Sequence, residues 1–176
     1  EPKAGLNIKG AVYYDCDAHM TPHHFMKDMI AYLKEKGVVF YTNEKVTNLE
    51  VSNLKITKLI TDKREFSPNK VILTAGSWSP LISKKLDIII PVQAGKGYGI
   101  DVERETNITI PTILCEAKVA VTPMDGFTRF AGTMEIAGIN HTINPKRVDG
   151  IADAVKQYYN HLEILLIIKL NFIFIK

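Results

Sequence analysis

The first third of the chain switches between a helical and a strand-like spacing of its apolar residues. An apolar stripe over residues 26–33 follows Thr21-Pro22, and Thr and Pro are favoured at the start of a helix. We therefore predict a helix that begins there and ends before Gly37, because glycine commonly terminates helices. The β-branched and aromatic runs at residues 10–14 and 38–41 predict short strands on either side of this helix.

The middle of the chain combines a hairpin pattern with a short, almost wholly apolar run. Residues 46–61 alternate in two pieces around Ser52-Asn53, which predicts a β-hairpin. Residues 69–74 end at Ala75-Gly76 and have the composition of a buried parallel strand. A short helix is predicted to begin near Ser79-Pro80.

The second half is rich in β-forming residues. From residues 88–92 onward, short apolar runs are separated by Gly, Pro, Asp and Asn at intervals of about 8–12 residues, which predicts an antiparallel sheet. Asp125-Gly126 predicts a hairpin turn within it. Asn144-Pro145 predicts the start of a last helix, whose apolar face runs from Val148 to Tyr159. The mixed order of elements favours an α+β or mixed α/β architecture.

Composition narrows the class of protein further. The chain has 176 residues, of which 46% are hydrophobic and 23% charged, as in a soluble protein of one domain or slightly more. Its net charge of +3 is too balanced to favour a nucleic-acid partner. Cys16 and Cys115 are far apart and form no CxxC pair, so we predict reduced, mostly buried thiols in a cytoplasmic protein.

The last fifteen residues, 162–176, form an apolar stretch that Lys169 interrupts. A membrane-spanning helix needs roughly 20 residues, so this segment is too short to span a bilayer. Three interpretations stay open for it: a buried strand or helix, an interfacial anchor, or a non-native tail.

Two groups of residues suggest ligand binding at first sight. Residues 95–99, GKGYG, fit neither the Walker pattern nor GxGxxG, and glycines within a strand more often mark a bulge or a close approach. His19, His23 and His24 lie close together, but Pro22 leaves His19 ahead of the helix. We therefore expect solvated histidines there and predict no metal site.

Three stretches carry a family resemblance. Residues 71–79 (VILTAGSWS), 91–98 (PVQAGKGY) and 125–135 (DGFTRFAGTME) resemble, in this order, FAD-dependent amino acid oxidoreductases of the D-amino acid oxidase superfamily. Within it they are most similar to the D-amino acid dehydrogenase (small subunit) branch. The resemblance extends from about residue 10 to about residue 160. It implies that FAD lies across a Rossmann-like domain and that an antiparallel sheet covers the flavin to form the substrate site.

The resemblance also implies a division of the chain. The expected fold is α+β, an antiparallel substrate-domain sheet flanked by helices together with part of an FAD-binding Rossmann-like domain. Residues 1–87 would be the central segment of the FAD-binding domain without its GxGxxG half. Residues 88–161 would be the substrate-domain sheet and helix, and residues 162–176 a tail that out-of-frame translation would explain. We therefore expect an internal fragment that is inactive by itself and binds FAD weakly or not at all.

Candidate site residues follow from the same resemblance. The residues expected at the cofactor are Val46, Thr74, Ala75, Gly76 and Trp78. The residues expected at the substrate are Lys96, Tyr98 and Arg129, and no catalytic residue is assigned. Small side chains allow the cofactor to approach the backbone, and an arginine fork suits a carboxylate. A core role for Trp78 and a solvated position for Arg129 are the open alternatives.

The implied activity is the oxidation of D-amino acids, or related secondary amino acids, to 2-oxo acids and ammonia by hydride transfer to flavin. The expected partner is an amino-acid substrate; a homo-oligomer and a quinone or peripheral membrane link are open for the whole enzyme. The expected location is the cytoplasm, including the periphery of the inner membrane. One alternative is a non-catalytic α+β module that binds a small ligand or a protein and uses the apolar tail as its interface. Another is a glycine or sarcosine oxidase-like enzyme of the same superfamily.

Overall fold

A computed structural model of the protein describes residues 2–159, 162 and 169–175. These residues form two compact units, one made of Glu1–Met26 with Gly95–Ile175 and the other of Lys27–Ala94. The sequence analysis assigns cofactor and substrate roles to a different division of the chain, into residues 1–87, 88–161 and 162–176. That assignment stays a prediction.

The first predicted helix is confirmed. Helix α1 comprises Pro22–Glu35 and ends as the sequence predicts, with Gly37 in the left-handed region at φ +85°. The Gly37 amide donates to the carbonyl of Lys34 at 3.0 Å, and the Val38 amide donates to the carbonyl of Leu33 at 3.0 Å. This pair of bonds is the Schellman arrangement, which satisfies the last carbonyls of the helix.

The unit of residues 27–94 contains a small antiparallel sheet. Strands β1 (Val46–Ser52), β2 (Lys55–Thr61) and β3 (Glu65–Phe66) lie in the order β1-β2-β3. The first two form the predicted hairpin. A short helix, α2 (Ser79–Ser83), follows at the predicted place.

Four predicted strands are wrong. Residues 10–14, 38–41, 69–74 and 88–92 have strand-forming side chains, but the structure assigns none of them to a strand. A β-strand exists only with a hydrogen-bonded neighbour, and within the described residues these segments have none. Most of their apolar side chains are exposed, Tyr13 by 72%, while Val71, Leu73 and Ile90 are half-buried.

The other unit is built on a five-stranded antiparallel sheet. Its strands are β4 (Gly95–Val102), β5 (Thr112–Leu114), β6 (Val119–Met124), β7 (Phe127–Glu135) and β8 (Lys169–Ile175), in the order β5-β6-β7-β4-β8. The predicted turn at Asp125-Gly126 joins β6 to β7, and Gly126 has φ +82°. Strand β8 belongs to the apolar tail, so this part of the tail pairs with β4 in the chain's own sheet. Residues 163–168 and 176 of the tail lie outside the described residues.

One face of this sheet is covered by the last helix, α3 (Pro145–Tyr158). Its N-cap is Asn144, whose side-chain oxygen accepts from the Lys146 amide at 3.2 Å, as the sequence predicts. The apolar face of α3 packs on the sheet, and the α+β class is confirmed. The buried core comprises Ala4, Tyr98, Ile100, Ile108, Leu114, Val119, Val121, Phe130, Val148, Ile151, Val155, Tyr159 and Leu162.

The pairing of the glycine-rich strand β4 with β7 is irregular between Gly97 and Tyr98, and the bulge lies in β7. Gly97 pairs with Met134 and Tyr98 with Gly132, so Thr133 of β7 is an extra residue in a β-bulge. Thr133 has φ +52°, which is strained for a β-branched side chain. A Cβ on Gly132 would lie 3.1 Å from Val119 and 3.2 Å from Ile151, so a larger residue here would need these neighbours to move by a few tenths of an ångström.

Two further expectations concern cysteines and membranes. Cys16 and Cys115 are both free and exposed, so the prediction of buried thiols is wrong. Both residues lie in turns rather than on a buried strand face. Among the described residues, no helix combines the length and apolar character that crossing a bilayer requires.

Candidate functional site

Lys96 lies in β4, and its side chain is buried, with 1% of the residue exposed. The ammonium group donates to Asn140 Oδ1 and to the carbonyl oxygen of Thr142, each at 2.6 Å. Its Nζ atom also lies 2.6 Å from Glu135 Oε1. A buried charge is very costly unless it is paired, so these three oxygens explain why a lysine is tolerated here.

Glu135 extends this cluster to helix α3. Its Oε2 atom lies 3.2 Å from Arg147 Nε, while its Oε1 atom contacts Lys96. Arg147 Nη1 donates to the hydroxyl of Thr133 and to the carbonyl of Met134, each at 3.3 Å. The cluster therefore joins β4, the bulge of β7 and the first turns of α3. We call Lys96, Glu135, Asn140, Thr142 and Arg147 the lysine network.

The two charges of the network alter each other's pKa. The hydrogen bond from Lys96 holds the pKa of Glu135 below its ordinary value, against the opposite effect of burial. Burial alone lowers the pKa of Lys96, but the hydrogen bonds and charges of Glu135 and Tyr98 outweigh it and raise the pKa. Both shifts favour the charged forms that make the contact.

The lowered pKa of Glu135 predicts a dependence of stability on pH. A carboxyl group with a depressed pKa stabilises the folded state above its unfolded value, here 4.5, and loses that contribution as the pH falls through the folded value. We expect the native chain to melt at a higher temperature than Glu135→Gln at pH 7. This difference should shrink steadily as the pH falls below 4.5, as measured by circular dichroism. A difference that does not change over this range would contradict the assignment.

Arg129 of β7 makes a different ion pair. Its Nε atom donates to Asp101 Oδ1 at 2.7 Å, and its Nη2 atom donates to Asp101 Oδ2 at 2.8 Å. The two residues are cross-strand partners of β7 and β4. The hydrogen bond to Asp101 raises the pKa of Arg129, against the effect of burial. Asp101 uses two of the five N–H donors of the guanidinium group.

The predicted substrate residues do not all meet. Alternate residues of a strand face opposite sides of the sheet, so Lys96 and Tyr98 share a face that differs from that of Asp101. Tyr98 lies in the core, and its hydroxyl accepts from the Asn144 amide at 3.4 Å. Arg129 shares the face of Asp101. The structure therefore brings Lys96 and Tyr98 together and leaves Arg129 on the other side of the sheet.

The residues around Lys96 and Arg129 were missed by the sequence analysis. A buried lysine in a strand requires an acidic partner, and Glu135 is its cross-strand neighbour. Identifying Glu135 requires the register between β4 and β7, which are separated by 24 residues of intervening chain that include two other strands. The acceptors from Asn140 and Thr142 come from a loop, for which the sequence offers no comparable pattern.

The predicted cofactor residues all lie in the unit of residues 27–94. Val46 lines a cleft together with Lys70–Ile72, the segment that leads to Thr74. Gly76 has φ +55° and begins a 3-10 turn, Gly76–Trp78, in which Trp78 is 41% exposed. The Ser77 hydroxyl is buried and has no hydrogen-bond partner among the described residues. A buried hydroxyl without a hydrogen-bond partner fits a polar ligand near this turn. The role of the predicted cofactor residues at FAD stays a prediction.

The family was identified by comparison with known proteins. A family model described as FAD dependent oxidoreductase (DAO) matches residues 1–169. A D-amino acid dehydrogenase of Vibrio vulnificus is 30% identical over 157 residues, which are 88% of this chain and 38% of that protein. A D-amino acid dehydrogenase of Neisseria meningitidis is 27% identical over 155 residues, or 86% of this chain and 37% of that protein. The chain thus spans less than two fifths of the length of these relatives.

Solved structures of the same fold include an L-proline dehydrogenase from P. horikoshii, with a TM-score of 0.71 and 15% identity over 88% of this chain and 41% of that one. They also include a glycine oxidase from Bacillus cereus, with a TM-score of 0.63 and 22% identity over 76% of this chain and 37% of that one. At these identities the similarity establishes the fold alone. The family match covers nearly the whole sequence, and the chain belongs to the DAO family of FAD-dependent oxidoreductases.

Proposed function

We propose that this chain is part of an FAD-dependent oxidoreductase that oxidises D-amino acids, or related secondary amino acids, to imino acids. Water then hydrolyses the imino acid to a 2-oxo acid and ammonia or, from a secondary amino acid, an amine. The relatives named D-amino acid dehydrogenase support the substrate class. FAD, when bound, would supply the hydride acceptor for oxidation at the substrate's Cα atom, so the residues of this chain have to supply position and electrostatics. In this proposal residues 1–87 help to bind FAD, and the five-stranded sheet forms one wall of the substrate pocket.

The observation that carries the pocket proposal is the sheet face opposite α3. The register places Gly97 and Gly99 of β4, Ala131 of β7 and Ala120 of β6 on this face. Side chains this small leave room around Gly99, between the larger Met134 and Ile113 of the same face, for a planar ring or a substrate to lie close to the backbone. The opposite face has no such space, because it packs on α3.

Arg129 is the residue of this face that we propose for the substrate carboxylate. Its guanidinium group retains donors beyond the two that Asp101 uses, and a carboxylate accepts two parallel N–H bonds. Asp101 would then act as a positioning residue that fixes the plane of the fork. The resemblance also assigned Lys96 and Tyr98 to the substrate, and their position toward α3 gives that assignment no support.

The cofactor part of the proposal uses small residues and one aromatic ring. Thr74, Ala75 and Gly76 would let the dinucleotide approach the backbone, and the unpartnered hydroxyl of Ser77 would donate to it. Trp78 would pack beside the cofactor with its exposed ring, and Val46 would hold the adenine through backbone groups. The family resemblance alone supports three further parts of the proposal. These are a homo-oligomer, a cytoplasmic location and a quinone link at the membrane periphery.

A chimera tests this function. The matched region of the Vibrio vulnificus D-amino acid dehydrogenase is replaced by this chain, and FAD content and D-alanine oxidation are measured. We expect the chimera to retain FAD and oxidise D-alanine. Arg129→Gln should raise KM by about tenfold or more, because it removes a charge-assisted bond to the carboxylate. The isolated chain is expected to bind FAD weakly and to be inactive.

Two outcomes would contradict the proposal separately. A folded chimera without FAD would show that this chain does not support the cofactor site. A chimera with FAD that oxidises no D-amino acid, while the parent enzyme does, would show that the substrate class is wrong. The parent enzyme serves as the control for expression and assay.

A further inference from the structure

One residue of the five-stranded sheet has a backbone conformation that its side chain does not favour. Thr133 is the extra residue of the bulge in β7, and its φ of +52° lies in the left-handed region. A β-branched side chain is rarely found there, and a residue strained in this way persists only where its surroundings hold it. The contacts around Thr133 therefore have to fix the bulge.

The contacts come from Arg147, in the first turn of α3. Its Nη1 atom donates to the Thr133 hydroxyl and to the Met134 carbonyl, each at 3.3 Å. Its Nε atom lies 3.2 Å from Glu135 Oε2, and its guanidinium group lies over the Tyr98 ring, 5.8 Å from the centroid. One side chain thus contacts three consecutive residues of β7 at the point where the strand is strained.

The bulge decides which side chain lies beside Gly97 on the sheet face opposite α3, which we call the open face. Tyr98 pairs with Gly132, so a regular ladder would continue with Thr133 opposite Gly97. The extra residue advances β7 by one position, and Met134 lies opposite Gly97 instead. Without the bulge, Thr133 would occupy the open face and Met134 would turn toward α3.

The buried ion pair of the lysine network requires the same bulged register. Glu135 is the cross-strand partner of Lys96, and the two charged groups lie 2.6 Å apart. In a regular ladder Met134 would be that partner, and a thioether is only a weak acceptor for an ammonium group. Lys96 therefore stabilises the register, while Arg147 is the network member that contacts the strained residue itself.

We propose that Arg147 is a positioning residue for the open face. From the other side of the sheet it holds the bulge at Thr133, and the bulge keeps Met134 beside Gly97. Half of Met134 is exposed there, so its apolar side chain is accessible to a ligand.

The consequence for a substrate rests on the proposed function. Along β7 the open face presents first Arg129, then Ala131 and then Met134. A substrate whose carboxylate lies at Arg129 would extend its side chain over Ala131 toward Met134. The bulge would thereby place an apolar contact at the end of the pocket that receives the substrate's side chain.

NMR spectroscopy of the full 176-residue chain tests the proposal without FAD or substrate. In the native chain we expect cross-strand nuclear Overhauser contacts between Gly97 and Met134, and an amide-to-Hα coupling of Thr133 that corresponds to a positive φ. Arg147→Met should abolish these contacts and change the coupling toward that of an extended strand. Amide hydrogen exchange at Met134 should accelerate by about tenfold or more, because the strained residue is no longer held.

A second substitution separates positioning from a general attachment of α3 to the sheet. Glycine adopts a positive φ without strain, so Thr133→Gly/Arg147→Met should recover the contact between Gly97 and Met134 although the arginine is absent. Lys146→Met is the matched control, because Lys146 precedes Arg147 in α3, is exposed and loses the same charge. It should leave the contact and the exchange rate unchanged.

Two results would overturn the role of Arg147: a contact between Gly97 and Met134 that survives Arg147→Met, or a loss that Thr133→Gly does not recover. Circular dichroism monitors folding of each variant. If Arg147→Met does not fold, the double variant decides: a folded chain with the contact supports the proposal, and any other result overturns it.

The pocket is tested separately in the chimera with the Vibrio vulnificus D-amino acid dehydrogenase. Arg147→Met should raise the KM for D-norleucine relative to that for D-alanine by about tenfold, because the Thr133 hydroxyl would replace an apolar contact. An unchanged ratio in an active chimera would overturn the contact of Met134 with the substrate. A chimera that oxidises no D-amino acid would contradict the proposed function, while the NMR result would still decide the role of Arg147.

Discussion

Replacing Lys96 with methionine is expected to lower the melting temperature of the chain by roughly 10 °C. Methionine fills a similar volume, but it removes the three donors that Glu135, Asn140 and Thr142 accept at 2.6 Å. Those oxygens would then lose their charged donor in a place from which water is largely excluded, with Lys96 itself 1% exposed. Removing one member of a buried ion pair is strongly destabilising, whereas replacing both members by apolar residues of similar volume is often nearly neutral. Circular dichroism at 222 nm measures the change.

A matched lysine in the same unit provides the control. Lys156 of α3 lies 3.6 Å from Asp153, and its side chain is 55% exposed. Lys156→Met is expected to change the melting temperature by less than about 2 °C, because exposed ion pairs contribute little. The double variant Lys96→Met/Glu135→Leu should recover part of the loss, since it removes the Glu135 Oε1 acceptor that Lys96→Met leaves without its donor. If Lys96→Met melts like Lys156→Met, the lysine network does not hold the sheet to α3.

Local patterns were enough to predict much of this fold. Helix α1, helix α3 and the hairpin β1–β2 were predicted from caps, turn residues and apolar spacing within short windows. The Gly37 stop and the Asn144 cap are contacts over a few residues, so the sequence contains everything that determines them.

The pairing of β-strands could not be predicted from local patterns in this way. Residues 38–41 and 69–74 have side chains as favourable for strands as those of β6, but a strand also needs a neighbour that the local sequence does not specify. The prediction of four strands therefore failed where the partner is missing from the described structure.

Prediction of the candidate site was limited because the local sequence does not give the register between β4 and β7 or the sheet face that each side chain occupies. The family resemblance implied that Lys96, Tyr98 and Arg129 all lie at the substrate, yet the alternation of β4 and its register with β7 put Arg129 on the other face. A bulge at Thr133 shifts that register by one residue. Long-range register of this kind is set by tertiary packing, which explains why Glu135 and Asp101 were not identified as partners.

Removing either partner of the Arg129–Asp101 pair is expected to lower the free energy of unfolding by about 2–4 kcal/mol. The pair is bidentate, at 2.7 Å and 2.8 Å, and the two side chains are 20% and 6% exposed. We expect Asp101→Asn and Arg129→Met to be destabilising alone. The double variant should be less destabilised than the sum of the two, with a coupling energy of about 1.5 kcal/mol or more from urea unfolding.

The exposed pair Lys156–Asp153, at 3.6 Å, gives the matched cycle, for which the coupling should stay below about 0.5 kcal/mol. The comparison separates two states of Arg129. A large coupling means that Asp101 holds the guanidinium group in a fixed plane before a substrate carboxylate arrives, which is what a positioning residue does. Coupling as small as that of the control would mean that Arg129 is not held, and Asp101 would then lose its proposed role while the family assignment stands.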